Sequence, residues 1–350
     1  MTAVHPGGSN TYIPSTEATN NLVVDFSRNP KSFAVNKYVQ IVPVTKDVGR
    51  YIEMTIEEAG RVLNTSLADH QWPDGDDAPD FHGNTEKFEF KEYATKRVAY
   101  GYRIGSKAAK QAAWDILAQH GRIKAQQAMT GRTQLAVTLA TTTGNYPSAS
   151  HYSAVASISG NAGKWDESTT ARQDIRRSIN YGVDIIRQAT LGAVNLDEIK
   201  LVMSPGCARK TAGSQELVDY LKGSPDALAY VKGKLGPNAQ YGLPEYLYGV
   251  EIVIEDAVKV TSRKGASRTT SYVLGDATPF LCSRPGGLVA AQDANETPRF
   301  STLSCFMYEE MTVESKYDTD NRVNKGRIVE DYAMKMTAGL AGFLFTSAVN

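Results

Sequence analysis

The sequence predicts an α+β fold, and three observations support this prediction. In the first third of the chain, apolar and polar residues alternate on both sides of an acidic segment rich in Pro and Gly, as in a pair of strands. In the middle, two stretches repeat apolar residues at spacings of three and four, the pattern of amphipathic helices. After residue 199, short alternating segments return. Strands and helices grouped in this way are typical of α+β proteins.

The first third of the chain predicts an extended loop that projects from the body. Residues 1–34 predict an extended N-terminal arm, and residues 35–44 predict a strand leading into the loop, which we place at residues 45–105. The flanks of the loop alternate at Ile52, Met54, Ile56, Val98, Tyr100, Tyr102 and Ile104. The tip, residues 68–80, is acidic and almost free of aliphatic side chains, so it cannot bury enough apolar surface to order itself. Because a two-stranded hairpin is marginally stable alone, we expect the loop to lie on a neighbouring copy of the chain.

A long helix is predicted to follow, from Ser106 to about Leu139. Its apolar residues recur at spacings of three and four, at Ala108, Ala109, Ala112, Ala113, Ile116, Leu117 and Ile123. Ser106 is a candidate N-cap. Gly121 and Gly131 should each weaken this helix by about 1 kcal/mol relative to Ala.

The predicted helix and the extended loop carry opposite charges. Against Asp115 alone, the helix has five basic residues and hence a net charge of +4: Lys107, Lys110, Arg122, Lys124 and Arg132. Residues 45–100 contain seven basic and twelve acidic residues, a net charge of −5. One hypothesis is that the acidic loop of one copy lies over the basic helix of another. The alternative is that these are two unrelated solvated faces.

The rest of the chain completes the α+β pattern. Residues 140–165 predict a loop. A second helix is predicted from an apolar stripe at Ile175, Ile179, Val183 and Ile186, with Ser168 and Thr169 as capping candidates and Leu191-Gly192 at its end. The remaining predicted elements are strands at 199–204, 246–255, 272–274, 302–316 and 326–335, a short helix at 214–222, and a polar turn at 317–325.

Composition disfavours several classes of function. The chain has 350 residues, a length sufficient for about two domains. Its hydrophobic fraction is 41%, which is enough to form a substantial core. Lys plus Arg and Asp plus Glu both number 38, so no global charge favours a nucleic acid or a membrane surface, and the near-zero net charge favours self-association. Cys207, Cys282 and Cys305 are too far apart to suggest a disulfide framework. No stretch approaches the roughly twenty apolar residues of a membrane span, so we expect a soluble protein.

No motif predicts catalysis, a metal or a cofactor. Asp74-Gly75-Asp76-Asp77 and Asp318-x-Asp320 both lack the spacing of a calcium loop. Gly160-Asn161-Ala162-Gly163-Lys164 imitates a phosphate-binding loop, but Trp165 replaces the Ser or Thr that would hold the metal. Cys207 follows a predicted strand, where a nucleophilic thiol could lie, but the possible bases are in other elements: His70, His82, His120 and His151. We therefore expect Cys207 to be a small buried residue, and we expect the chain not to be an enzyme.

Aromatic residues of the extended loop are candidate contacts between copies. Phe88 and Phe90 alternate onto one face, and Trp72 and Phe81 lie near the acidic tip. Exposed aromatic side chains on a projecting segment commonly bind a partner surface. The candidate inter-subunit contacts are therefore Trp72, Phe81, Phe88, Phe90, Lys107, Lys110 and Lys124. Packing into the core of the same chain is the alternative for the aromatic residues. Stacking on nucleic acid is disfavoured because acidic residues outnumber the basic ones around them.

Taken in this order, the segments resemble a tailed-bacteriophage major capsid protein, whose Hong Kong ninety-seven-type fold is shared with encapsulin nanocompartments. The resemblance covers about residues 35–345. It rests on Tyr38–Val44 followed by Gly49-Arg50-Tyr51, Gly192–Asn195 leading into Ile199–Ser204, Leu247–Ile252, and Leu274-Gly275-Asp276. Each segment alone is unspecific, and their order and spacing together carry the resemblance.

The resemblance implies a division of the chain into regions. A peripheral domain with a long spine helix would occupy residues 106–192, and an axial domain residues 193–300. Residues 301–350 would return to the peripheral domain. The extended loop, residues 45–105, would overlap a neighbouring copy.

The resemblance also implies a structural function without a cofactor. Copies would form pentamers and hexamers that close into an icosahedral virion shell around double-stranded DNA, assembled in the host cytoplasm. Partners would be other copies, separate scaffolding and portal proteins, decoration proteins in some shells, and DNA through weak, sequence-independent contact, but no membrane. An encapsulin-like shell around cargo enzymes is the alternative with the same fold. A cysteine hydrolase using Cys207 is the alternative of another class.

The sequence departs from the family pattern in two respects. The region before Val35 is too short and uncharged for a scaffold-like coiled segment, so we expect scaffolding from a separate protein. Some family members cross-link a Lys of the extended loop to an Asn of the peripheral domain. The possible pairs, Lys87, Lys91 or Lys96 with Asn321 or Asn324, do not align securely with that pattern, and we expect no cross-link.

Overall fold

The computed structural model of the protein describes residues 28–54, 71, 74, 88–112, 115–167, 173–222, 238–263, 265–285 and 301–350. Its helices are α1 (Val35–Tyr38), α2 (Ser106–Gln111), α3 (Ile116–Thr141), α4 (Asp174–Ala189), α5 (Pro205–Ala212) and α6 (Gln215–Lys222). Its strands are β1 (Gln40–Pro43), β2 (Val48–Met54), β3 (Phe88–Ala94), β4 (Lys96–Gly105), β5 (Tyr152–Ala154), β6 (Ile199–Met203), β7 (Tyr246–Leu247), β8 (Val250–Ile254), β9 (Val258–Val260), β10 (Thr270–Tyr272), β11 (Phe280–Ser283), β12 (Leu303–Asp318), β13 (Val323–Met336) and β14 (Gly342–Thr346). The mixture of helices and strands confirms the predicted α+β class.

A six-stranded sheet forms the middle layer of the body, in the order β5-β14-β11-β6-β8-β7. It is buried on both faces, which explains the uninterrupted apolar sequence of β6. Ile199, Leu201 and Met203 point into one hydrophobic cluster, and Val202 points into the other. The predicted buried strand at residues 199–204 is confirmed.

Helices cover both faces of this sheet. On one face, α4 buries the predicted stripe that includes Ile175, Ile179 and Ile186. Gly182 is needed there, because a Cβ at this position would lie 2.6 Å from Leu281 Cδ1. On the other face lie α1, the second half of α3 and the first residues of β12. The chain thus builds a helix–sheet–helix body around two apolar layers.

A second sheet, in the order β1-β12-β13-β4, extends from this body. β12 and β13 form a long antiparallel hairpin, whereas β1 pairs in parallel with only Ser304–Met307 of β12. The predicted strands at 302–316 and 326–335 are confirmed, and the turn between them is shorter than predicted. The outer half of the hairpin therefore extends past β1.

The prediction of a continuous strand at residues 35–44 is wrong for its first half. Val35–Tyr38 is a helical turn, in which the Val39 N–H donates to the Val35 carbonyl at 3.0 Å, and only Gln40–Pro43 is a strand. Val35, Tyr38 and Val39 are buried, and their spacing of three and four is the helical signal that the apolar run concealed.

The return strand of the extended loop is two strands with different partners. β3 pairs with β2, but β4 pairs with β13, so residues 96–105 belong to the four-stranded sheet and not to the projecting hairpin. The chain changes sheets at Thr95, whose N–H donates to the Asp47 carbonyl at 2.8 Å. Both strands alternate with period two, so periodicity alone could not separate them.

The predicted single helix at residues 106–139 is interrupted. α2 ends at Gln111 and α3 begins at Ile116, because Asp115 caps α3 by accepting from the Leu117 and Ala118 N–H groups at 3.1 and 3.0 Å. Ser106 starts α2 but makes no cap, since the N-cap position is Gly105. Gly131 allows close packing on β4, because a Cβ there would lie 2.6 Å from the Tyr100 hydroxyl.

Three further boundaries differ from the predictions. Residues 246–255 are not one strand, because Tyr248 and Gly249 adopt φ values of 51° and 86° and form a two-residue turn between β7 and β8. The strand predicted at 272–274 lies two residues earlier, as β10. The predicted loop at 140–165 contains β5, which pairs with β14. The capping candidates Ser168 and Thr169 lie outside the described residues. The helix predicted at 214–222 is confirmed as α6.

Candidate assembly surfaces

The extended loop leaves the body from a hairpin whose root is held by aromatic stacking. β2 pairs with β3 from Val48 opposite Ala94 to Met54 opposite Phe88. The Tyr93 ring stacks on Phe306 of β12 with centroids 4.4 Å apart, and the Tyr51 ring stacks on Phe306 at 5.4 Å. Each such pair adds about 0.5–1.5 kcal/mol beyond the area that it buries. The root of the loop is therefore fixed to its own chain.

Gly49 makes this stacking possible. It is the direct cross-strand neighbour of Tyr93, and a Cβ at position 49 would lie 2.4 Å from the Tyr93 hydroxyl oxygen. Without a side chain at position 49, the Tyr93 ring can lie across β2 and reach Phe306. The position accepts no larger residue unless Tyr93 moves.

The hairpin also presents exposed side chains. Phe90 is 60% exposed, as expected for a candidate contact with a neighbouring copy. Arg50 and Glu92 form an exposed ion pair at 3.0 Å, which contributes little to stability. Phe88 is the first residue of β3, and its backbone pairs with Met54. Trp72 and Phe81, the other two aromatic candidates, lie outside the described residues.

A second surface is a groove between the first half of α3 and the outer half of β12, which we call the α3 groove. α3 packs mainly over β13 and β4, and it reaches β12 only through the first residues of that strand, which share its hydrophobic cluster. Val313 and Tyr317 of β12 therefore line an open groove of about 720 Å³ and are 66% and 49% exposed. All buried residues of α3 lie at or after Ala128, so the first half of this helix has no buried side chain.

Tyr102 of β4 forms a wall of the α3 groove. Its ring stacks on His120 of α3 with centroids 6.1 Å apart. The same ring covers Gly326 of β13, where a Cβ would lie 2.2 Å from a ring carbon. This places His120 beside the groove.

The root of the loop and the α3 groove lie on opposite faces of the four-stranded sheet. Phe306 is opposite Ala333, and Val313 is opposite Ile328. Because residues 328 and 333 of β13 differ by an odd number of positions, their side chains point to opposite faces. The four-stranded sheet therefore separates the root of the loop from the α3 groove.

One basic side chain of α3 lines the α3 groove, and it is not among the predicted contact residues. Arg122 lies there together with Asp115, which is engaged as the cap of α3. Lys316 and Lys325 border the groove through their strands, but they alternate with Val313 and Ile328, so their side chains point to the other face of the sheet. Lys325 pairs with Asp318 at 2.6 Å.

The predicted basic contacts Lys107, Lys110 and Lys124 lie outside the lining of the α3 groove. Lys107 and Lys110 are exposed on α2, and Lys124 is half-buried and donates to Gln127 at 2.9 Å.

Arg132 does not belong to the basic surface. It is buried and pairs with Glu330 of β13 at 2.5 Å, and its guanidinium lies over the Tyr332 ring at 5.3 Å. Its charge fastens α3 to the sheet. The net charge of +4 counted along the sequence therefore overstates the exposed charge of this helix.

Known structures share this architecture, although no protein-family model and no curated protein sequence matches the chain. A phage-related protein from Bordetella bronchiseptica is 16% identical with a TM-score of 0.61, covering 92% of this chain and 94% of its own. The mature capsid protein of bacteriophage PhiM1 is 14% identical with a TM-score of 0.53, covering 98% and 92%. The capsid protein of cyanophage P-SCSP1u is 8% identical with a TM-score of 0.57, covering 95% and 92%.

The chain has the phage capsid protein fold. This confirms the fold that the sequence resemblance implied, over nearly the full length of the chain.

Within this capsid fold, Cys207 is a packing residue. It lies in the first turn of α5, where its N–H donates to the Ser204 side chain at 3.0 Å. Burial raises the pKa of its thiol to about 12, which disfavours the nucleophilic thiolate at neutral pH. His151, one of the possible bases, is buried beside the Gly342 carbonyl, 3.0 Å from its Nδ1. The prediction of a small buried residue is confirmed.

Asp318 stabilises the turn between β12 and β13 through hydrogen bonds. Asp318 Oδ1 accepts from the Asp320 and Asn321 N–H groups at 3.1 and 3.3 Å. Donation from the Lys325 and Asn321 side chains holds the pKa of Asp318 well below its usual range. Across the described ranges, no group of three or more His, Cys, Asp or Glu side chains is arranged to hold a metal ion, and no helix combines the length and apolarity of a membrane span.

Proposed function

We propose that this protein is the structural shell protein of a virion, copies of which form the pentamers and hexamers of an icosahedral capsid around double-stranded DNA. The observation that carries the proposal is the correspondence of 98% and 95% of this chain to capsid proteins of two phages. A chain occupied almost entirely by a shell fold has little remaining sequence for another activity. Protein partners would be further copies and separate scaffolding, portal and decoration proteins.

In this proposal, the extended loop of one copy lies across the α3 groove of its neighbour. Apolar complementarity supports this arrangement, because Phe90 of the loop and Val313 of the groove are both largely exposed in a single copy. Fully burying such a side chain contributes about 1.5–3 kcal/mol. Several side chains of this kind on each copy would drive association.

Charge complementarity supports the same arrangement. Residues 45–100 carry a net charge of −5, and the groove is lined by Arg122, whereas Asp115 is engaged as the cap of α3. Opposite charges across an interface mainly steer encounter and fix the orientation of the partners. This pairing keeps the predicted contact between the loop and the basic helix, with Arg122 as the residue of that helix that lines the groove.

The assembly state of the purified chain tests the proposal. Size-exclusion chromatography with negative-stain microscopy should show capsomer rings or uniform closed particles, and native particles should protect DNA from nuclease. A small discrete oligomer that never forms rings or shells would contradict the proposal. Particles that enclose protein cargo and no DNA would instead identify an encapsulin-like shell.

Two variants test the contact between loop and groove. Deleting residues 67–84 should leave circular dichroism unchanged and abolish closed shells. Replacing the same residues with a polar segment of equal length tests whether the length of the loop is sufficient for assembly without its own side chains. Reversing Arg122 to Glu should impair assembly, more at low salt than at high salt. The matched control reverses Lys107, which lies outside the groove lining. Equal effects of the two reversals would refute the groove as the docking surface.

A further inference from the structure

The β9–β10 hairpin is a two-stranded sheet with an exposed apolar face. Val258 is directly opposite Tyr272, and Val260, two residues further along β9, shares their face. These three side chains are 48%, 39% and 58% exposed, in the order Val258, Tyr272 and Val260. Because a two-stranded hairpin is only marginally stable by itself, this face would be stabilised by a partner.

The same hairpin is basic along its whole length. Residues 257–275 contain no acidic residue in the sequence. Its basic side chains include Lys259, which is half-buried, and Arg263 and Arg268, which are exposed near the tip. The partner that fits this surface combines apolar area with negative charge.

A surface of that chemistry lies around the β7–β8 turn, and we call it the acidic patch. Leu196 and Tyr246 are 41% and 58% exposed, and next to them in sequence Asp197 and Glu245 are exposed carboxylates. Leu196 lies against the turn, because a Cβ at Gly249 would be 3.2 Å from its Cδ2. Two apolar side chains and two acidic ones are thus presented together.

Charges close to the acidic patch do not cancel it. Lys200 of β6 pairs with Glu251 of β8 at 2.7 Å, so these two residues neutralise each other. Tyr246 is paired with Glu251 across the β7–β8 hairpin, which fixes its position beside them. Arg176 lies over the Tyr248 ring at 5.9 Å, and its charge is offset by Glu216, which accepts from the Tyr248 hydroxyl at 2.6 Å. Arg284, whose N–H donates to the Glu198 carbonyl at 2.9 Å, is offset by the Glu198 carboxylate. Asp197 and Glu245 therefore set the sign of the patch.

The hairpin and the acidic patch lie at opposite ends of the same pair of strands. β6 and β8 are parallel, and the patch precedes both strands, whereas the hairpin follows the carboxyl end of β8. β8 has five residues and spans about 16 Å at about 3.3 Å per residue. The two surfaces of one copy are therefore separated by the length of β8, and a contact between them joins two copies.

We propose that the β9–β10 hairpin of one copy docks on the acidic patch of the next copy, in a repeated head-to-tail contact. A contact between two different surfaces of the same chain closes into a ring when its rotation closes. The inference rests on the proposed shell function and adds a contact that is separate from the extended loop and the α3 groove. The partner is therefore a second copy of this chain.

A charge exchange tests this contact on the full-length chain. Reversing the hairpin (Arg263→Glu with Arg268→Glu) or the patch (Asp197→Lys with Glu245→Lys) should raise the concentration needed for ring formation by about tenfold or more, because like charges then face each other. Combining the four substitutions should restore assembly toward the wild-type concentration. The control matched to the hairpin reversal, Arg103→Glu with Arg187→Glu, makes the net charge more negative by the same amount at exposed positions away from both surfaces.

The outcomes separate this contact from the proposed function. If the wild-type chain forms neither rings nor shells, the shell function itself fails. If the wild type assembles and both reversals assemble equally well, or if the combined variant stays as impaired as each reversal, the hairpin-to-patch contact is refuted. Circular dichroism of each variant confirms that the fold is retained.

A cross-linking experiment and a nucleic-acid control complete the test. Mixing a Val260→Cys chain with a Tyr246→Cys chain under mild oxidation should give a disulfide-linked dimer on a denaturing gel, whereas either chain alone should give little. Failure to form the mixed dimer in assembled rings would overturn the contact. If the hairpin reversal lowers retention of a short DNA duplex and leaves ring formation unchanged, the hairpin serves a nucleic acid and the inference is wrong.

Discussion

Glu255 places a carboxyl group in a fully buried junction between α1 and the end of β8. Tyr38 donates to Glu255 Oε2 at 2.9 Å, and the Ala257 N–H donates to Oε1 at 3.1 Å. The neighbouring Asp256 pairs with Arg28 at 2.7 Å. Burial raises the pKa of Glu255 from 4.5 to about 7, although the bonds from Ala257 and Tyr38 oppose this increase. Glu255 should therefore be partly protonated at neutral pH.

This raised pKa makes the stability of the fold depend on pH with a defined sign. Between pH 4.5 and about 7, the folded chain holds a proton that the unfolded chain has released. The associated stability is fully present below pH 4.5 and is lost as the pH rises through about 7. A pKa difference of about 2.5, at about 1.4 kcal/mol for each pH unit, amounts to about 3 kcal/mol.

Glu255→Gln should remove this dependence, because the amide resembles the protonated carboxyl group and cannot ionise. Urea unfolding from about pH 4 to about pH 8 should show the wild-type free energy of unfolding falling by up to about 3 kcal/mol relative to the variant. Glu310→Gln, at an exposed position of β12, is the control and should follow the wild type. Parallel pH profiles for the wild type and Glu255→Gln would refute the argument.

Other substitutions test the packing and the surfaces. Arg132→Ala should lower the free energy of unfolding in urea by about 3–5 kcal/mol, because Glu330 is left buried without its partner. A decrease below about 1 kcal/mol would contradict a buried ion pair. Gly49→Ala should displace Tyr93 and lower the free energy of unfolding by about 1–3 kcal/mol. An unchanged urea midpoint of unfolding would show that the stack of Tyr93 on Phe306 tolerates a Cβ at position 49. Val313→Ser should leave the free energy of unfolding within about 0.5 kcal/mol of wild type but weaken assembly, as measured by light scattering.

Local sequence patterns predicted most elements of the fold but not their partners. The apolar run of β6 and the apolar stripe of α4 were predicted because period and length are properties of neighbouring residues. β3 and β4 have the same period and almost no separation in sequence, and yet they lie in different sheets. The partner of β4 is β13, far along the chain, and no local pattern specifies that pairing.

Some errors came from giving periodicity more weight than local chemistry. Asp115 was counted as one acid in a basic helix, although an Asp immediately before an apolar helical run is a strong N-cap signal. Tyr248-Gly249 was included in a strand, although a Gly within a strand pattern indicates a turn or a bulge. Both signals were present in the sequence.

The candidate surfaces were predicted in kind but not in position. Phe90 is exposed as expected, because an aromatic residue on a projecting hairpin has little of its own chain to contact. The groove itself depends on which strands α3 covers, and this is a tertiary property. Arg132 shows the limit of charge counting, since its guanidinium points into the core and neutralises Glu330.

The geometry of the loop root gives a physical reason why the α3 groove stays available to a neighbour. Tyr51 and Tyr93 fix the root on the face of the four-stranded sheet that carries Phe306, whereas Val313 lines the groove on the opposite face. To fill the groove of its own chain, the loop would have to turn around the edge of the sheet against the direction that the stack imposes. A loop from an adjacent copy has no such restriction. The same stack that holds the root in place therefore favours exchange of loops between copies over closure within one.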